Sequence, residues 1–126
     1  MKKGEKMFSF VKYEKELESD YRRSLDEIKR PEEIHKVFSE YAFKFLKMVK
    51  DDLDDRLKEQ IKLIPEEENF KIDEELLEKL GDLVKKSDLM AILKRMADSA
   101  IHRYLKLKRD DERTDLFRIG DSSKIR

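Results

Sequence analysis

The segment from Ile34 to Val49 is apolar most of the way round a helix, although almost half of the chain (48%) is charged. Ile34, Val37, Phe38, Tyr41, Ala42, Phe45, Met48 and Val49 recur at helical spacing on one broad face, and Phe43 and Leu46 fall on the far side. A helix with so little polar surface has to be covered on most sides. The segment is therefore either the central helix of a bundle or a surface that a second chain covers.

The rest of the chain carries the same periodicity. Phe10, Leu17, Tyr21, Leu25 and Ile28 draw one helical stripe. Glu18 precedes Arg22, and Asp26 precedes Arg30, by the four residues that support a helix on its solvent side. Arg30–Pro31 ends this first helix, because the residue before a proline is pushed out of the helical region. Pro31 then suits the first turn of the next helix, with Glu32 and Glu33 against its positive end.

The second stripe continues through Leu53, Leu57, Ile61 and Ile64. One helix from Pro31 to Ile64 would measure about 51 Å, while a compact domain of this size is only about 35–40 Å across. It has to break near Lys50–Asp55 or protrude onto a partner. Pro65 to Lys71 is read as a loop. Asp73 is the expected N-cap of a third helix, with Ile72 stapled to Leu77, and Gly81 weakens the middle of that helix by about 1 kcal/mol. Ser87 caps a fourth helix with the stripe Leu89, Ile92, Leu93, Met96, Ala97, Ala100, Ile101, Tyr104 and Leu105. The periodicity stops after Lys108, so residues 109–126 are expected to form a charged tail around Leu116, Phe117 and Ile119.

Composition excludes several classes of function. With no cysteine, the chain has no disulfide, no thiolate nucleophile and no cysteine-held zinc. The longest unbroken apolar run, Leu89–Leu93, is far too short to span a bilayer, and Met1–Lys6 is polar, unlike a secretion leader. The expectation is a cytoplasmic protein. Thirty basic and thirty acidic side chains give zero net charge, hence no global field toward nucleic acid or anionic lipid. Three glycines, two prolines and abundant Lys and Glu lean toward a thermophile's composition.

Four motifs carry candidate chemistry. Glu32-x-x-His35 has the spacing used by di-iron bundles, but Ser99 stands three residues before His102, so the second element is missing. Asp51, Asp52, Asp54 and Asp55 lack the glycine turn and twelfth-position glutamate of a calcium loop, and read as a solvated face with Asp52–Arg56 and Asp54–Lys58 pairs. Glu74, Glu75 and Glu78 form a Glu-Glu-x-x-Glu pattern that resembles the first metal motif of all-α nucleotide pyrophosphohydrolases of the MazG type. The resemblance implies a Mg²⁺-dependent attack on a pyrophosphate, held by carboxylates from two helices. It covers five residues. The next helix supplies Asp98 but has Arg95 where the family has a glutamate. Finally, residues 88–109 carry six bases against two acids, a basic fourth helix able to touch phosphates. Residues 64–87 carry eight acids against four bases, and are expected to neutralise it.

Together these features predict an all-α fold without β-sheet. It is a compact bundle of four to five helices over residues 1–108, with one long central helix and a charged tail over 109–126. The function they favour is a non-enzymatic helical interaction or scaffold module with no cofactor and no metal. The module is expected to form a homodimer through Phe43, Leu46, Leu53, Leu57 and Ile61, with the tail as a further docking segment for a protein partner. The MazG-like hydrolase and a nucleic-acid-binding accessory protein are the alternatives.

Overall fold

The computed structural model describes the backbone of residues 9–123 and the side chains of residues 9–110. The described residues are mostly helical, as the periodicity predicts, but they also contain a small two-stranded sheet. Helix α1 spans Val11–Glu27, and a 3-10 turn at Pro31–Glu33 leads into α2, Ile34–Val49. A second 3-10 segment, Asp55–Gln60, runs directly into strand β1, Ile61–Ile64. A third, Pro65–Glu67, turns the chain back into β2, Asn69–Ile72. Helices α3 (Glu74–Leu80) and α4 (Leu83–Lys86) are short, and α5 runs from Leu89 to Ser123.

The expected helix from Pro31 to Ile64 does not exist as one piece. Helix α2 stops at Val49, where Lys50 turns extended (φ −143°, ψ 94°), because four aspartates crowd the next five positions. Beyond the break, Leu53, Leu57 and Ile61 still face inward, but from a loop, a 3-10 turn and a strand. The strands pair antiparallel with Ile61 opposite Ile72 and Leu63 opposite Phe70. Ile61 and Leu63 are buried while Lys62 is exposed, the alternation of a half-buried strand. The expectation of no β-sheet fails here because a four-residue run such as Ile-Lys-Leu-Ile fits either period.

Helices α1, α2 and α5 pack pairwise around the core, and the hairpin lies across them, β1 against α2 and β2 against α5. Phe38, Phe45, Ile34, Leu46, Ile92 and Leu93 are wholly enclosed, and the Phe38 ring meets Phe70 of β2 at 6.1 Å. Tyr21 reaches across from α1 to donate to the Met96 carbonyl at 2.6 Å.

Several helix ends differ from expectation. Helix α1 ends at Glu27, three residues before Arg30, and Arg30 pairs with Glu32 at 3.3 Å rather than with Asp26. The expected Glu18–Arg22 pair is present at 2.8 Å. Asp73 occupies the N-cap position of α3, but its side chain turns to Lys62 at 3.2 Å. The cap comes instead from Gln60, whose Oε1 accepts the Leu76 amide at 2.9 Å. Leu77 is 38% exposed rather than stapled beneath Ile72. Gly81, at φ +57°, terminates α3 instead of weakening its middle, since glycine enters that conformation without strain. Ser87 does cap the last helix: its Oγ accepts the Leu89 amide at 3.1 Å and donates to the Leu83 carbonyl.

Candidate interaction surface

The five residues expected to form a self-association surface are all inside the single chain. Leu46 and Ile61 have no exposed area, and Phe43, Leu53 and Leu57 retain 5% or less. The far side of α2 is covered by the chain's own 3-10 segment and β1, which fold back over it after the break at Lys50. Lys47 pins that return by donating to the Leu53 carbonyl at 2.9 Å and pairing with Asp55 at 3.2 Å. A dimer cannot use these five side chains without opening the core.

The carboxylate motif is dispersed in the same way. Glu75 is gripped by the Arg56 guanidinium and by the Gln60 amide at 3.0 Å. These hydrogen bonds, Arg56's above all, lower its pKa to about 2. Asp98 pairs with Lys94 at 3.0 Å on α5. Among the described residues, no group of three or more His, Cys, Asp or Glu side chains is placed to hold a metal ion. The Asp51–Asp55 cluster is also split: Asp52 pairs with Lys50, Asp55 with Lys47, and Asp54 caps the 3-10 segment by accepting the Arg56 amide at 3.1 Å. Among the described residues, no helix is long and apolar enough to cross a membrane.

The basic charges of α5 meet partners that the sequence did not indicate. Lys94 donates to the Glu68 carbonyl at 2.9 Å as well as to Asp98. Arg95 makes a two-pronged pair with Glu14 of α1, at 3.0 and 2.7 Å. Arg103 donates from Nε to the Leu25 carbonyl and from Nη2 to those of Asp26 and Ile28, at 2.9–3.0 Å. Those carbonyls end α1 and have no next helical turn to bond to. The acidic stretch 64–87 supplies only the Glu68 carbonyl to these three side chains; their carboxylate partners are Glu14 of α1 and Asp98 of α5.

Between these ties α1 and α5 stand apart and leave a groove. Its first part, about 440 Å³, has Leu17, Tyr21 and Met96 on its walls and the Glu14–Arg95 pair at its rim. Burial raises the Tyr21 pKa far above the ordinary phenol range, so its hydroxyl stays a donor to Met96. The second part, about 550 Å³, is lined by Arg22, Asp26, His102, Arg103 and Lys106. Arg22 and Ser99 belong to both parts, so the groove is continuous along four turns of α1. Sequence periodicity could not find it, because it arises from the separation of two helices distant in the chain. The chain matches no family model, no curated protein and no solved structure.

Proposed function

We propose that this protein is a non-enzymatic helical module that self-associates, with the C-terminal half of α5 from one copy lying in the α1–α5 groove of another. The observation that carries this is the length of α5. It has 35 residues, against 17 in α1 and 16 in α2, so neither neighbour flanks more than half of it. A helical extension of that size in water is marginal without tertiary packing. The sequence gives it Leu116, Phe117 and Ile119 to bury. Leu105, where the extension begins, is 44% exposed.

The dimensions agree. Residues 111–123 of a helix measure about 20 Å, and the stretch of α1 from Val11 to Asp26 that borders the groove measures about 22 Å. Charge does not oppose it: residues 111–123 carry four acids against two bases, and the groove lining carries five bases (Lys15, Arg22, Arg95, Arg103, Lys106) against four acids (Glu14, Glu18, Asp26, Asp98). Reciprocal docking gives a closed two-fold dimer, the commonest symmetry of soluble oligomers. Burying Leu116, Phe117 and Ile119 in both copies stabilises the pair by roughly 9–18 kcal/mol, against association costs of about 4–15 kcal/mol. Light scattering on the full chain tests this. The expected mass is twice 15.2 kDa, falling to the monomer in Phe117→Glu and weakened by Lys106→Glu. A monomeric wild type at about 100 μM refutes it.

A further inference from the structure

Among the described residues, the hairpin has one edge in use and one open. The Asp73 amide donates to the Gln60 carbonyl at 2.8 Å, which fixes the parity of the ladder. Lys62 and Lys71 therefore exchange hydrogen bonds, as do Ile64 and Asn69, while the amides and carbonyls of residues 61, 63, 70 and 72 point away from the hairpin. On the β1 side the Ile61 carbonyl accepts from Ser39 of α2 at 2.8 Å. On the β2 side the Phe70 amide is taken by the Asn69 side chain at 2.8 Å. No described residue hydrogen-bonds the Ile72 amide or the outward carbonyls of Phe70 and Ile72. All four β2 residues keep solvent exposure, whereas two of the four in β1 are buried.

We infer that β2 is a docking edge for an extended acidic peptide, which adds as a third strand against Phe70 and Ile72. This site is separate from the groove used in self-association. An open edge offers a ready-made ladder to an incoming chain. Its residue opposite Ile72 exchanges two hydrogen bonds, and the Phe70 carbonyl accepts a third. The charge of the occupant follows from the exposed face, where Lys62 and Lys71 sit directly opposite one another. Like charges so placed repel. Lys62 relieves this by pairing diagonally with Asp73 at the end of β2, while Lys71 faces the vacant position. A glutamate or aspartate placed there gives Lys71 an opposite charge on its free side. A second copy of β2 is disfavoured, because the two-fold register that pairs Phe70 with Ile72 sets Lys71 against Lys71.

Amide hydrogen exchange by NMR on the full chain tests this, with two blocked pentapeptide probes, Thr-Val-Glu-Val-Thr and its lysine counterpart. In the free protein the Lys71 amide is expected to be protected and the Ile72 amide to exchange freely. The glutamate probe slows Ile72 exchange and binds about fivefold tighter than the lysine probe, a difference within the range of cross-strand charge pairs. Lys71→Glu, on an exposed side chain, reverses that preference. Ile72→Pro removes the outward amide without touching the β1–β2 ladder and abolishes probe binding. Protection of Ile72 before any probe is added overturns the inference. So does binding that leaves the Ile72 amide unchanged, or equal affinity for the two probes.

Discussion

Replacing Arg103 with methionine isolates the strongest single tie between α5 and α1. Methionine keeps most of the side chain's length and apolar contact but removes the guanidinium. Three carbonyls at the end of α1 lose a charged donor, and only that of Leu25 keeps a backbone one, the Ile28 amide at 3.2 Å. The bonds to Leu25 and Ile28 are part-buried and come from a charged donor, worth about 1–1.5 kcal/mol each, while the exposed bond to Asp26 adds little. The favourable placement of a cation at a helix C-terminus acts through these same carbonyls and is not added again. The total loss is about 2–3 kcal/mol. For a domain of this size, near 3–4 °C per kcal/mol, the melting temperature falls by about 6–12 °C. With an m-value of about 2 kcal/mol/M, the urea midpoint falls by about 1–1.5 M without a change in slope. Arg103→Lys recovers less than about half of this, because one ammonium cannot fork to three carbonyls. A loss below about 0.5 kcal/mol, or full rescue by lysine, would refute the role assigned to the fork.

Gln60→Ala removes the cap on the Leu76 amide and one support of Glu75, and is expected to cost about 1–2 kcal/mol in urea denaturation. Tyr21→Phe costs about 1–1.5 kcal/mol through the lost bond to Met96. Because burial raises the Tyr21 pKa, the native state holds a proton that the unfolded chain releases above about pH 10. Stability is complete below that pH and declines as pH rises above it, and ultraviolet titration should show Tyr21 ionising only on unfolding. For Glu75 the sign is opposite: its pKa of about 2, against the ordinary 4.5, gives a contribution present above pH 4.5 and lost as pH falls toward 2. Carboxylate NMR of Arg56→Gln should return Glu75 toward 4.5.

Much of the helical framework is legible in the residues themselves. The stripes that mark α1, α2 and α5, the interruption at Pro31 and the Ser87 cap depend on neighbours within a few positions, which is the range over which periodicity and capping act. The hairpin is not legible in this way. Leu53, Leu57, Ile61 and Ile64 step as evenly as a helical face, and Asn69–Ile72 alternates polar and apolar over only four residues, too few to announce a strand. A strand's stability comes from its cross-strand partner and the surface beneath it, here the pairing of Leu63 with Phe70 over Phe38. The groove and its ties were equally hidden, since Glu14–Arg95 joins residues 81 positions apart and Arg103 grips carbonyls more than seventy residues away.

The run from Ile34 to Val49 shows where the division falls. Its side chains alone determined that the helix be covered on nearly every side, because exposing Phe43 and Leu46 to water as well as Phe38 and Phe45 is too costly for a stable fold. They did not determine what covers it. A second chain and the returning segment Leu53–Ile61 bury the same apolar area, and the hydrophobic effect is non-directional. The tertiary structure chose the returning segment, because the break at Lys50 lets Leu53, Leu57 and Ile61 fold back within the same chain without the entropic cost of bringing two molecules together.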